Sequence, residues 1–220
     1  CCILVVTASV KDNSSKVFEA MSYGALDAVN TPSLGAQGNM EGAAQFLQKL
    51  ERVEILRSRT TGQMRKQIPD VEVRIEIPSA APYLVAVGAS TGGPAAVAQI
   101  LAELPQDFSA ATVIVQHIDE EFAPGLADWL GTFTKLKVRI AAEGHVPCPG
   151  NVYLASSNDH LAITPQMKFK YTADPVDQPY RPSIDVFFES VCRSWPRKGA
   201  AALLTGIGRD GALGLLALKK

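Results

Sequence analysis

Apolar residues recur along this chain at two spacings, and the spacing switches repeatedly. Ile3, Leu4, Val5 and Val6 form a short unbroken run, the pattern of a strand buried on both faces. Ser14 and Ser15 precede Val17, Phe18 and Met21 at helical spacing, which predicts an N-capped helix running toward Gly24. Residues 25–29 predict a second strand, stopped by Asn30-Thr31-Pro32. Ala43, Phe46, Leu47, Leu50, Val53 and Leu56 mark a longer amphipathic helix. Beyond Arg57 the period dissolves into polar residues interrupted by Pro69 and Pro78. This stretch reads as a linker, although Val71, Val73 and Ile75 alternate as a short strand would.

A second alternation starts at Tyr83. Strands are predicted over 83–87, 111–115, 138–141, 152–154, 161–163, 168–171 and 200–204. Helices are predicted over 94–104, 126–133 and 183–195, and from 211 onward. Pro94 stands near the first position of its helix, where a missing N–H costs nothing. Ser183 is placed to cap the helix that carries Ile184, Phe187, Phe188 and Val191 on one face. Strands alternating with helices imply an α/β fold. Its sheet is mainly parallel with helices on both faces, and ligands sit at the carboxyl ends of the strands.

Composition narrows the function without naming it. Of 220 residues, 47% are hydrophobic and 20% charged, and the formal net charge is -1. Nothing here points to nucleic acid or to an anionic membrane as a bulk partner. No apolar run reaches the roughly 18–20 residues of a membrane span. The first residues lack the basic flank of a signal peptide, so a cytoplasmic location is expected. Cys1, Cys2, Cys148 and Cys192 form no metal-ligand spacing, and Cys192 is expected to be a buried small hydrophobe.

Three strand-to-loop junctions carry chemistry. In Gly88-Ala89-Ser90-Thr91-Gly92-Gly93 a serine sits at a sharp turn between strand and helix. Such a turn exposes the hydroxyl and offers unpaired N–H groups to an oxyanion; an inert Gly-Ser turn and an anion-cradling loop stay open. His117 stands one residue past the apolar run Val113-Ile114-Val115, after Gln116, as a catalytic base or as a core histidine. Asp210 lies in Thr205-Gly206-Ile207-Gly208-Arg209-Asp210-Gly211 before a helix, as a triad carboxylate or as an N-cap. Taken together they make a triad, because a serine needs a base and the base needs a carboxylate to fix its tautomer.

These three motifs, with Arg181-Pro182-Ser183-Ile184-Asp185, resemble the catalytic domain of the chemotaxis-receptor protein-glutamate methylesterases over residues 83–218. The resemblance implies Ser90 as nucleophile, His117 as base and Asp210 as its orienting acid. It also implies oxyanion donors in the backbone N–H groups of Thr91 and Ile207, the latter standing where the family usually has methionine. The implied reaction is hydrolysis of glutamyl methyl esters on methylated chemoreceptors, with glutamine deamidation beside it. No cofactor is expected for that chemistry. Arg181 is a candidate substrate contact, or else a partner for Asp185.

Residues 1–57 resemble the C-terminal part of a flavodoxin-like response-regulator receiver, closest to the branch of the Wsp surface-sensing pathway. The implied domains are 1–57, a linker over 58–82, and the methylesterase catalytic domain over 83–220. A chemosensory histidine kinase is the implied phosphodonor. Receivers usually carry lysine where Thr31 stands. Their acidic Mg²⁺ pocket is expected upstream of Cys1, so Mg²⁺ is expected only for that part. Both ends read as cut, and residues 1–57 are expected to be less stable than 83–218. A regulatory binding module without turnover and a small-molecule carboxylesterase remain as other readings. His145 and His160 are expected in surface loops, and Asp119, Glu120 and Glu121 in a solvated turn.

Overall fold

The computed structural model describes residues 3–10, 12–23, 25, 27–34, 40–41, 43–44, 46–47, 49–50, 81–90, 92–204 and 208–219. Val53, Leu56 and the alternating Val71, Val73 and Ile75 lie outside them.

The larger unit is built on five strands: β5 (Tyr83–Ala89), β6 (Ala110–Gln116), β7 (Lys137–Ile140), β8 (Asn151–Leu154) and β11 (Lys198–Leu203). All pair parallel in the order β11-β5-β6-β8-β7. The alternation of side chains sorts two cores. Leu84, Ala86, Ala111, Val113 and Val115 face one side, where α4 (Ile184–Ser194) and α5 (Ala212–Leu218) pack with Phe187, Phe188 and Leu215. Val87, Ala89 and Ile114 face the other, against α2 (Gly93–Glu103) and α3 (Ala123–Gly131) through Val97, Leu101 and Leu126. Each fully buried Leu or Phe among them contributes about 1.5–3 kcal/mol. An antiparallel pair, β9 (His160–Ile163) and β10 (Phe169–Thr172), adds Leu161 and Phe169 to the first core.

The parallel α/β fold with helices on both faces is as expected. The helix expected over 126–133 begins instead at Ala123, because Pro124 occupies its first turn and a 3₁₀ turn, Glu120–Phe122, leads into it.

The N-terminal unit is smaller. β1 (Leu4–Thr7) and β2 (Asp27–Asn30) pair parallel around α1 (Ser14–Ser22). A further pair, β3 (Ser33–Leu34) and β4 (Met40–Glu41), follows antiparallel. Val17, Phe18 and Met21 of α1 enter the same core as Val97, Leu101 and Leu126. Phe18 lies 6.1 Å from the Trp129 ring. Ala43, Ala44, Phe46, Leu47, Lys49 and Leu50 are helical. The expected apolar face is turned partly outward, with Leu47 56% exposed, while Lys49 is the buried residue there.

Candidate active site

The register brings three loops to one rim. Leu203 pairs with Gly88 and Ala89 pairs with Gln116. Ser90, His117 and Asp210 therefore follow the carboxyl ends of the adjacent strands β5, β6 and β11.

The turn at Ser90 is held from two sides. The Ser90 carbonyl accepts from Gly93 N–H at 2.8 Å and from Gln116 Nε2 at 2.9 Å. Gly92 adopts φ +76°, a left-handed conformation that a side chain would strain. A Cβ at Gly93 would meet Ala89 Cβ at 2.8 Å, so the chain must be bare where helix and strand touch. His117 N–H donates to Ala89 O at 3.1 Å, which fixes the base beside the turn.

The His117 ring is held by two contacts. Nε2 lies 2.7 Å from Asp210 Oδ2, and a carboxylate only accepts, so Nε2 carries the proton. The Tyr180 ring stacks on the imidazole at 4.3 Å and 2°. Nδ1 is buried and has no hydrogen-bond partner among the described residues. The expected bond from Ser90 Oγ to this ring is not formed among them either. Apo sites often hold this pair loosely.

Asp210 is the most heavily bonded side chain of the site. Oδ1 accepts the Ser183 hydroxyl at 2.7 Å and Asp185 N–H at 3.0 Å. Oδ2 accepts Ile184 N–H at 2.7 Å beside His117. The carboxylate thus sits on the N-terminus of α4, where the helix dipole favours negative charge, and does not cap the helix that follows it. Burial pushes its pKa up. The His117 hydrogen bond and charge, with the two N–H groups, outweigh that and hold it below the ordinary value. Gly211 turns the chain into α5 at φ +96°, where a Cβ would lie 2.7 Å from Ile184 and Leu203 side-chain atoms.

Other expectations fare variously. Thr91 and Ile207, the expected oxyanion donors, lie outside the described residues. Arg181 does not pair with Asp185: it donates to Val176 O at 3.0 Å and faces Asp159 at 3.8 Å, because Asp185 is engaged by Gly214 N–H at 2.7 Å. His160 is no surface histidine but 0% exposed, its side chain turned inward from β9, whereas His145 is exposed. Cys192 is exposed, since it falls on the outer side of α4. Asp119 pairs with Lys49, which also contacts Asp27 at 3.1 Å and the Ala28 carbonyl. Among the described residues no group of three or more His, Cys, Asp or Glu could hold a metal ion. No described helix is long and apolar enough to cross a membrane.

Sequence reasoning missed Gln116, Ser183 and Tyr180 as parts of the site. Gln116 and Ser183 flank groups already singled out, and a buried polar residue ending an apolar strand was the available signal. Tyr180 gives no local signal, because a long loop delivers it.

A serine turn, a histidine and a carboxylate at the carboxyl rim of a parallel α/β sheet define a class of hydrolase-like domains. The CheB methylesterase profile matches residues 85–220. The chain is 50% identical over its whole length to a Burkholderia lata protein named protein-glutamate methylesterase/protein-glutamine glutaminase 2, covering 63% of it. It is 46% identical to a similarly named Pseudomonas aeruginosa protein, covering 64% of that one. In structure it is similar to the Thermotoga maritima CheB methylesterase catalytic domain, at 33% identity and a TM-score of 0.59, over 62% of this chain and 74% of that one. The chain belongs to the CheB methylesterase family, and it spans about 63% of the length of these curated relatives.

Proposed function

We propose that the chain is the hydrolase of a chemosensory two-component pathway, cleaving glutamyl methyl esters on the cytoplasmic part of methylated chemoreceptors. The observation that carries this reading is His117 joined to Asp210 through Nε2 at 2.7 Å, with Nδ1 unpartnered among the described residues and the His117 backbone bonded to Ala89 next to Ser90. The names of the relatives supply the substrate class, a protein glutamyl ester, and protein glutamine as a second one.

In this reading Ser90 attacks the ester carbonyl while His117 Nδ1 takes its proton, and Asp210 stabilises the imidazolium that forms. The backbone N–H groups of Thr91 and Ile207 hold the oxyanion. His117 returns the proton to the departing methoxide, methanol leaves, and a water deprotonated by His117 frees Ser90 and the glutamate carboxylate. An amide in place of the ester would release ammonia by the same steps. Every step runs through groups of this chain. The N-terminal unit is read as receiver-derived over 1–57, joined by a linker over 58–82 to a catalytic domain over 83–220, with a histidine kinase as phosphodonor. Arg181, on the loop beside Tyr180, is the proposed contact for acidic residues of the receptor.

The test is release of volatile methanol from receptor carrying labelled methyl groups. The wild-type protein should release it and Ser90→Ala should not. Release no faster than the blank points to a binding module. Hydrolysis of p-nitrophenyl acetate without release from receptor points to a small-molecule carboxylesterase.

A further inference from the structure

His160 touches no reacting group, yet it is fully buried and both of its ring nitrogens are engaged. Nε2 lies 3.2 Å from the Pro175 carbonyl, and Ser183 N–H donates to Nδ1 at 3.0 Å. A carbonyl only accepts, so Nε2 carries the proton and Nδ1 is the bare acceptor. The ring therefore ties the 175 loop to the first residue of the α4 cap in one fixed tautomer.

Ser183 continues the chain of bonds. Its oxygen accepts Val186 N–H at 3.3 Å, capping α4, and its hydroxyl hydrogen goes to Asp210 Oδ1 at 2.7 Å. Each Asp210 oxygen then has two donors: Ser183 and Asp185 N–H on Oδ1, His117 and Ile184 N–H on Oδ2. A carboxylate with both oxygens doubly occupied has no freedom to rotate, and its angle sets the plane of the imidazole it holds.

Resting on the hydrolase reading above, we propose that Ser183 and His160 are positioning residues of this site: His160 holds the Ser183 backbone so that the Ser183 hydroxyl locks the Asp210 carboxylate, and through it His117. Neither touches substrate. Removing the Ser183 hydroxyl leaves Oδ1 with one donor and lets the carboxylate turn. Removing the His160 acceptor strands Ser183 N–H in a dry site and moves the cap itself.

Two measurements on the full chain test this. The first is the downfield proton resonance of His117 Nε2–H bonded to Asp210, identified by its loss in Asp210→Asn. The second is the split between kcat and KM for p-nitrophenyl acetate. Ser183→Ala and His160→Leu should move the resonance upfield and lower kcat by about tenfold, with KM within about twofold. His160→Asn, which keeps an acceptor near the place of Nδ1, should recover most of both. A role in helix capping alone would lower the melting temperature of Ser183→Ala and leave resonance and kcat in place. That result would overturn the proposal, as would equal damage in His160→Asn and His160→Leu. If Ser90→Ala retained full esterase activity the hydrolase reading would fail, while the resonance would still decide whether Ser183 and His160 set the Asp210–His117 bond.

Discussion

The Asp210 carboxylate, 5% exposed, has a donor at each lone-pair position, whereas on the other side of the imidazole His117 Nδ1 is buried with no hydrogen-bond partner among the described residues. The two ends of one imidazole are thus built on opposite rules. Four donors offset the desolvation of the carboxylate before any substrate arrives. The bare Nδ1 carries a cost of about 1–3 kcal/mol, the usual penalty for an unsatisfied buried acceptor. Folding tolerates such a group where a reaction partner will meet it. Preorganisation is concentrated at the carboxylate, while the other ring nitrogen is left open.

The largest effect should come from breaking the vacant end. Ser90→Ala and His117→Ala should each lower kcat by about 10⁶, and the double variant by no more than either alone, because a triad acts as a unit. A double variant far worse than both singles would show two independent functions and dissolve the comparison. Next comes the occupied end: Asp210→Asn should cost about 10⁴ in kcat, since an amide favours the wrong His117 tautomer. Steady-state kinetics on the same substrate ranks the two.

Proton linkage sharpens the contrast without touching turnover. The pKa of Asp210 is depressed in the fold, so its contribution to stability is present above its unfolded value of about 3.9. That contribution is lost as pH falls through the folded value. His160 is also lowered, by burial first, against the Pro175 hydrogen bond; Arg181 lowers it further, while Asp210 and Asp159 raise it. Its neutral form is the stable one, so stability is full above the unfolded value of about 6.5 and declines as pH falls toward the folded value. Urea melts of wild type and His160→Asn between pH 5 and 7.5 should converge at the acid end; parallel curves would show that His160 does not titrate there.

The smallest effect on the site should come from the N-terminal unit. Lys49 is 4% exposed between Asp27 and Asp119, two residues past His117. Burial foremost raises the Asp27 carboxyl, Lys49 lowers it and Asp119 raises it, so removing Lys49 takes away the cation that lies between the two acids. Lys49→Met should cost about 3–5 kcal/mol of local stability, read as faster hydrogen exchange in β1, α1 and β2, with little change in β5 and β6. Uniform loss of protection would show that both units unfold as one.

How much of this was legible varies with the physics involved. The strands of the parallel sheet were visible because residues such as Val113, Ile114 and Val115 must be apolar on both faces. Ser183 was readable as a cap because capping is local. Its second bond, to Asp210, was not, since it joins residues far apart in the chain. His160 was misjudged because a polar residue opening a short strand resembles a loop residue. Only the packing of β9 against α4 shows that it faces inward. The stacking of Tyr180 on His117 depends on the path of the 173–182 loop, which no periodicity encodes.

Ser90 should be the one hydroxyl activated by the His117–Asp210 pair. Treatment with a fluorophosphonate, followed by peptide mass mapping, tests it most directly. A single residue, Ser90, should be phosphonylated, with labelling abolished by His117→Ala and slowed by Asp210→Asn. Labelling that persists in Ser90→Ala, or that falls on another serine, would contradict it.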